Sequence, residues 1–255
     1  MDIINNYAPR CLAGLLSYAY KYTLITMELL TENALIWSPV VANNRMNRKR
    51  IASGVNSYEK ELHFHPGMYL NKRLEEQGHV KWLDLCCGEG NALLQYAGEI
   101  AVKNLQTQVT LKGIDLVDQF QSIPPAINCL QFKTGSLVDW EETDQYDLIT
   151  CVHGLHYVGD KLKALMKALQ AISDNGILMA NLDLNNIKIE GDQKETYLKK
   201  LFKENGIRYN ARRKLVTCEG PRDIHINLTY IGADDKAGPN YTGQAVVDSY
   251  YSIRV

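Results

Sequence analysis

The 255-residue chain lacks several features that would assign it to a specialised class of protein. Its formal net charge is −1, so no global field draws it toward nucleic acid or an anionic membrane surface. It has no run of about 18 uncharged apolar residues, so we expect no membrane span and no membrane partner. The apolar stretch at 11–20 is preceded by a single basic residue, and no clean small-residue cleavage site follows it, so no signal peptide is predicted.

The cysteines also exclude particular classes of site. They lie at positions 11, 86, 87, 129, 151 and 218. None belongs to a C-x-x-C pair, which argues against a zinc ribbon and against a thioredoxin-type redox centre. Several stand in apolar runs, where a free thiol behaves as a small hydrophobe. A reducing compartment is the simplest interpretation, and we expect a cytoplasmic protein.

From residue 80 onward the sequence alternates between strand-like and helix-like patterns. Helices are predicted at 91–103, 162–172 and 195–204, where apolar residues recur at helical spacing. Strands are predicted at 80–85, 109–116, 129–133, 146–152, 177–182, 214–218 and 224–231. This alternation is typical of parallel βαβ units with right-handed crossovers, and it predicts an α/β fold.

The two ends of the chain do not follow that alternation. We therefore divide the sequence into an N-terminal segment at 1–75, a core at 76–232 and a tail at 233–255. The tail is rich in glycine, proline and tyrosine, and it is predicted to be irregular with room for one final strand. The basic residues of the polar stretch at 43–50 are predicted to be a solvated linker face rather than an anion contact. They are Arg45, Arg48, Lys49 and Arg50.

A glycine turn links the first predicted strand to the first predicted helix. The segment DLCCGEG (84–90) ends a strand in an acid and continues with small residues, which lets the backbone approach a ligand closely. The helix beginning near Asn91 offers free backbone N–H groups to an anionic group. The turn does not fit G-x-G-x-x-G and lacks Gly-Lys-Ser/Thr, so neither a dinucleotide nor a P-loop phosphate is favoured.

Four segments in sequence resemble the motifs of class I S-adenosylmethionine-dependent methyltransferases. They are VKWLDLCCGEGNALL (80–94), GIDL (113–116), FKTGSL (132–137) and YDLITCVHGLHYV (146–158). The resemblance implies a mostly parallel, Rossmann-like seven-stranded sheet that is sandwiched by helices and has an antiparallel final strand. It also implies S-adenosylmethionine as cofactor and S-adenosylhomocysteine as product. The segment NSYEKELHFHP (56–66) resembles an entry helix, which implies an N-terminal helical cap over the cofactor.

The resemblance assigns cofactor contacts residue by residue. The acid at the end of the second strand, Asp115, is implied to bind the ribose hydroxyls, and Leu116 is implied to pack on the adenine. Two positions depart from the family pattern, because Cys86 stands where glycine is usual and Ser136 stands where aspartate is common. The full set of expected cofactor residues is Tyr58, Asp84, Cys86, Gly88, Gly90, Asp115, Leu116, Ser136, Leu137 and Val152.

Two histidines after the fourth strand are candidate catalytic residues. His153 follows the strand directly, near the expected methyl group, and histidine titrates in the range that general-base catalysis requires. His156 belongs to a run in which the family mostly uses histidine for packing and hydrogen bonding, so a structural role is the alternative for it. The pair His63 and His65 has no evident third ligand, so no metal site is predicted.

The predicted reaction is methyl transfer to an oxygen or nitrogen atom of a small-molecule acceptor. Two alternatives stay open. One is methylation of a protein, a peptide or RNA, although no N-P-P-Y-type tetrad follows the fourth strand and no nucleic-acid partner is expected. The other is a domain that binds S-adenosylmethionine or S-adenosylhomocysteine without methyl transfer. The oligomeric state is not predicted, and a homodimer through the N-terminal segment is left open.

Overall fold

The structure, a computed structural model, describes residues 28–42, 49–141, 143–192 and 194–254. The apolar stretch at 11–20 and two of the basic residues predicted to face solvent, Arg45 and Arg48, lie outside the described residues. Among the helices of the described ranges, none has both the length and the apolar character that crossing a bilayer requires.

Ten strands occur in the described part of the chain. They are β1 (Val80–Leu85), β2 (Val109–Asp115), β3 (Leu130–Thr134), β4 (Tyr146–Cys151), β5 (Ile172–Asn181), β6 (Ile187–Ile189), β7 (Arg208–Asn210), β8 (Leu215–Glu219), β9 (Leu228–Asp234) and β10 (Asp248–Ile253). Seven of them form one sheet in the order β3-β2-β1-β4-β5-β8-β7, in which β8 runs antiparallel to both of its neighbours. The order reverses between β1 and β4, which is where open α/β sheets bind their ligands.

Helices cover both faces of this sheet. The α-helices of the described residues are α1 (Glu32–Leu35), α2 (Pro39–Ala42), α3 (Tyr58–Leu62), α4 (Pro66–Gln77), α5 (Asn91–Val102), α6 (Lys161–Gln170) and α7 (Thr196–Glu204). Successive residues of β1 are buried on opposite faces, since Trp82 belongs to the apolar cluster of α4 and α5 and Leu83 to that of α6 and α7. A strand buried on both sides needs a continuous apolar run, and this explains the composition of β1. The predicted fold class is confirmed.

A second, three-stranded sheet has the order β6-β10-β9 and lies beside the main one. Leu30 extends it through an antiparallel bridge to Ala233, with N–H to O distances of 2.8 and 2.9 Å. The buried Lys161 at the start of α6 joins the main fold to β10, because its Nζ donates to the carbonyl of Val247 and to Ser249 Oγ. The N-terminal segment, α6 and the last hairpin therefore meet on one side of the molecule.

The structure corrects two element predictions and adds a strand that was not predicted. The strand predicted at 224–231 is β9, which belongs to the second sheet, and the seventh strand of the main sheet is the three-residue β7. The helix predicted at 162–172 ends at Gln170, because Ile172 begins β5 and pairs with Tyr146. The helical spacing of the apolar residues placed Ile172 in the helix, but its pairing with the neighbouring strand decides its conformation. The division drawn at 232/233 falls within β9 and stays a prediction.

Candidate cofactor and acceptor site

A cleft opens at the carboxyl ends of the central strands. Its floor comes from the loops after β1, β2, β3 and β4, as expected for a sheet of this topology. Its roof comes from the N-terminal segment, through Glu32, Leu35, Ile36, Val41, Arg50 and Tyr58. The cleft therefore lies between the sheet edge and a cap, and a ligand in it would contact both.

The glycine turn forms one wall of the cleft. Cys86 and Gly88 both line it, and both have left-handed backbone angles, with φ values of 55° and 62°. The backbone N–H of Gly88 donates to Asp115 Oδ2 at 2.9 Å, which fixes the turn against the end of β2. The turn and the second predicted motif are thus directly joined.

Asp115 presents a buried carboxylate to the cleft. Its Oδ1 accepts from the backbone N–H of Val117 at 3.1 Å, so each of its oxygens holds one backbone group. A carboxylate can accept hydrogen bonds from the two hydroxyls of a ribose. Leu116 lines the cleft beside it and supplies the apolar surface that an adenine ring requires.

The loop after β3 and the end of β4 complete the floor. Ser136 and Leu137 line the cleft, and Ser136 Oγ accepts from the N–H of Val138 at 3.2 Å. Beside them a Cβ added to Gly135 would meet no atom within 4 Å, so this wall is open. Val152 lines the cleft at the end of β4. Sequence reasoning and structure therefore place these residues in one cavity.

Two of the expected cofactor residues do not line the cleft. Asp84 is fully buried, where it accepts hydrogen bonds from Tyr58 Oη at 2.7 Å and Thr150 Oγ1 at 2.6 Å. Burial raises the pKa of Asp84 to about 7 in spite of these hydrogen bonds. At Gly90 a Cβ would overlap the ring of Phe132, so close packing accounts for that glycine. Their contact with the cofactor stays a prediction, as does that of Tyr58, which lines the cleft while its hydroxyl binds Asp84.

His153 stands at the end of the cleft beside the cap. It follows β4 with a left-handed φ of 60°, and its buried side chain places Nε2 at 2.9 Å from Glu61 Oε2. The other oxygen of Glu61 binds the guanidinium of Arg50 at 3.0 Å. The hydrogen bond with His153 lowers the pKa of Glu61 to about 2 against the effect of burial, and the charge of Arg50 adds to this shift. The carboxylate is thus ionised and accepts the proton of His153 Nε2.

His156 lies deeper than His153 and does not line the cleft. It is fully buried, and burial lowers its pKa well below the usual range, with His153 and Lys161 adding to the effect. The hydroxyl of Tyr241 lies 3.4 Å from His156 Nε2 and 3.4 Å from His153 Nδ1. One tyrosine therefore connects the two candidate catalytic histidines.

Sequence reasoning missed the partners of these histidines. Arg50 was assigned to a solvated linker, yet it lines the cleft and binds Glu61, which had no assigned role. Tyr241 lies in the glycine-rich tail, where no sequence motif marks it as a site residue. The pair His63 and His65 has local roles instead, since His63 ends α3 and His65 Nδ1 accepts from the N–H of Met68 at the start of α4.

Comparison with known proteins identifies the family. Residues 47–230 match a family model described as a methyltransferase domain, which is more than half of the chain. The protein therefore belongs to the methyltransferase-domain family, within the class I S-adenosylmethionine-dependent methyltransferases. The resemblance first noted in its motifs is confirmed. A comparison with curated proteins found no match.

Several solved structures are similar to the chain. Coclaurine N-methyltransferase bound to N-methylheliamine and SAH is 17% identical, with a TM-score of 0.39, over 68% of this chain and 52% of that chain. YjhP from E. coli is 19% identical, with a TM-score of 0.36, over 51% of each chain. CalS10, an amino pentose methyltransferase from Micromonospora echinaspora, is 15% identical, with a TM-score of 0.33, over 45% of this chain and 48% of that chain. The chain spans about half the length of each.

The residues of the cleft fit S-adenosylmethionine, the cofactor of this class. Asp115 suits a ribose diol, and Leu116 and Leu137 suit an adenine. The guanidinium of Arg50 suits a carboxylate.

Proposed function

We propose that the protein transfers the methyl group of S-adenosylmethionine to an oxygen or nitrogen atom of a small molecule. The observation that carries this proposal is the roof of the cleft. Leu35, Ile36 and Val41 lie over the sheet edge and face the same cavity as Leu116 and Leu137. A site enclosed on two sides accepts a compact molecule, whereas a folded protein or an RNA strand needs an open groove.

The charges at the cleft also favour a small acceptor over a nucleic acid. Among the residues that the structure describes, three charged ones line it, of which Glu32 and Asp115 are acidic and Arg50 is basic. Arg50 is itself bound to Glu61. Recognition of a nucleic acid relies on a patch of basic side chains that neutralises phosphates, and this lining has the opposite balance.

The cofactor supplies an electrophilic methyl group on a sulfonium centre, so the protein has to position the acceptor and receive its proton. We assign the second task to His153, because the ionised Glu61 fixes the proton on Nε2 and leaves Nδ1 as the basic atom. Glu61 would also stabilise the imidazolium that forms. His156 stays neutral through burial and is assigned a hydrogen-bonding role toward the Tyr241 hydroxyl.

Transfer of radioactive label tests the proposal. The protein is incubated with methyl-labelled S-adenosylmethionine and, separately, with the low-mass, protein and RNA fractions of a cell extract. We expect label in products of the low-mass fraction and none with Asp115→Ala, which should not retain the cofactor. Label in the protein or RNA fraction would contradict a small-molecule acceptor. Tight binding of S-adenosylhomocysteine without transfer to any fraction would favour a binding domain.

A further inference from the structure

The loop between β9 and β10 carries Tyr241 to His153, a residue that lines the cleft. The loop is closed by a bridge between Pro239 and Ala245, and the N–H of Val247 donates to the carbonyl of His156 at 3.0 Å. These contacts bring a residue from the end of the chain beside the loop that follows β4. The phenol of Tyr241 is 46% exposed, so its outer part reaches solvent while its hydroxyl points inward to the two histidines.

The oxygen of Tyr241 lies between the imidazole rings of His153 and His156, so its position is polar. Both of its imidazole neighbours are buried, and both lie at 3.4 Å, which is long for a hydrogen bond to an O–H group. The ring of Tyr241 meets that of His156 edge-on, with centroids 5.6 Å apart. A phenol thus fits this position in shape and polarity, but the hydroxyl of Tyr241 makes only long contacts there.

The hydrogen-bond network determines which nitrogen carries a proton. Because ionised Glu61 can only accept, His153 Nε2 bears hydrogen and His153 Nδ1 presents a lone pair toward the Tyr241 oxygen. His156 is neutral, and its Nδ1 has no hydrogen-bond partner among the described residues. A proton on Nε2 satisfies His156 better, since it can then donate to the same oxygen. The oxygen therefore faces one acceptor and one donor.

We propose that the Tyr241 hydroxyl marks the acceptor subsite, and that the acceptor is a phenolic hydroxyl that replaces it and is methylated on oxygen. This inference rests on the proposed methyl transfer. A hydroxyl oxygen has two lone pairs, so it can accept from His156 Nε2 and still attack a methyl carbon while His153 Nδ1 takes its proton. A neutral amine has one lone pair, which a hydrogen bond from His156 would occupy. The pair of imidazoles therefore selects oxygen over nitrogen.

The proposed reaction breaks two bonds and forms two. The acceptor O–H bond breaks as its proton passes to His153 Nδ1, and a bond forms between the acceptor oxygen and the methyl carbon as the sulfur–carbon bond of the sulfonium breaks. The products are a methyl aryl ether and S-adenosylhomocysteine. The imidazolium of His153 is stabilised by Glu61 and returns its proton to water after the product has left.

Removal of the Tyr241 side chain tests the subsite with a molecule that reproduces it. We would measure binding of 4-methylphenol and of its amine counterpart, 4-methylaniline, to the S-adenosylhomocysteine complexes of the wild-type protein, Tyr241→Gly and Tyr241→Phe. We expect Tyr241→Gly to bind 4-methylphenol about tenfold more tightly than 4-methylaniline, because only the hydroxyl satisfies both imidazoles. The wild type and Tyr241→Phe should bind 4-methylphenol more weakly than Tyr241→Gly does, since their own rings have to leave the position first.

The outcomes separate this inference from the proposed function. A wild-type protein that does not bind S-adenosylhomocysteine contradicts the function itself. Equal affinity of Tyr241→Gly for the two probes, or no binding of 4-methylphenol, overturns the oxygen-selective subsite alone. If Tyr241→Gly does not fold, imidazole ¹⁵N spectra of wild type and Tyr241→Phe decide: loss of the hydroxyl should shift His153 Nδ1 and His156 Nε2, and unchanged signals would overturn the inference.

Discussion

Cys86 and Gly154 are in contact at the base of the cofactor cleft. A Cβ added to Gly154 would overlap the Cβ and Sγ of Cys86. Cys86 itself has a left-handed φ of 55°, a conformation that costs a side chain roughly 1–2 kcal/mol. The turn therefore carries a side chain where the methyltransferase motif that it resembles has glycine, and the facing loop accommodates that side chain because Gly154 has none. Both residues line the cleft, so their packing sets its width.

Substitution of Gly154 by alanine should weaken cofactor binding. The new methyl group would push Cys86 into the cleft, and we expect the affinity for S-adenosylhomocysteine to fall by about tenfold or more. The double variant Cys86→Gly/Gly154→Ala should recover most of that loss, because it removes the overlapping atoms. Isothermal titration calorimetry of the two single variants and the double variant measures the coupling. Additive effects of the two substitutions would show that the contact does not shape the cleft.

Asp115 should be the strongest single determinant of cofactor affinity. Hydrogen bonds to a charged group contribute about 1.5–3 kcal/mol each, so loss of two ribose contacts in Asp115→Ala should weaken S-adenosylhomocysteine binding by about a hundredfold or more. Asp118→Ala is a matched control, because Asp118 is exposed and does not line the cleft. Similar affinities for the two variants, measured by the same titration, would contradict the role of Asp115.

The buried carboxyl of Asp84 should make stability depend on pH. Its pKa is about 7 in the folded protein against a reference value of 3.8, so between these values the folded state holds a proton that the unfolded state releases. The free energy of unfolding should therefore fall as pH rises through this interval, by an amount on the order of a few kcal/mol.

Chemical denaturation of the wild type and Asp84→Asn at several pH values measures this contribution. Asparagine does not titrate, so the stability of the variant relative to the wild type should increase with pH up to about 7 and then level off. A difference between the two proteins that does not change with pH would disprove the burial of a titrating carboxyl at this position.

Lys161 should stabilise the junction between α6 and the second sheet. Its Nζ donates to Val158 O, Val247 O and Ser249 Oγ, and Lys161→Met would leave these buried acceptors without a donor. We expect a loss of about 2–4 kcal/mol in the free energy of unfolding. Lys163→Met, at an exposed position of the same helix, should change it little. Equal effects of the two substitutions on denaturation midpoints would refute the role.

The same lysine predicts a second pH effect of opposite sign. Burial lowers the pKa of Lys161 to about 7 from 10.5, while Asp248, Glu32 and Asp160 oppose the shift. Between these values the unfolded state binds the extra proton, so the wild-type free energy of unfolding should rise with pH relative to that of Lys161→Met.

The sequence predicted the part of the fold whose elements are long and locally encoded. β1 matches its predicted bounds because its apolar residues face both helical layers, and α5 matches because the glycine turn fixes its start. The floor of the cleft was predictable for the same reason, since Gly88, Asp115 and Ser136 each follow a strand whose position the alternation defines.

The rest depends on contacts between distant segments. β7 has three residues, too few to show a period, and its place in the sheet comes from pairing with β8. Because β9 pairs with β10, β9 belongs to the second sheet and not to the main one. Likewise the bond between Glu61 and His153 joins residues 92 positions apart. No local pattern encodes these relationships, because tertiary packing alone decides them.

A crystal structure of the protein with S-adenosylhomocysteine tests the central claim most directly. The account predicts the ribose hydroxyls on the carboxylate of Asp115, the adenine beside Leu116 and Leu137, and the amino-acid part along the turn at Cys86 and Gly88. It also predicts the sulfur facing the end of the cleft where His153 lies. A nucleoside bound outside the cleft between Gly88 and Asp115 would contradict it.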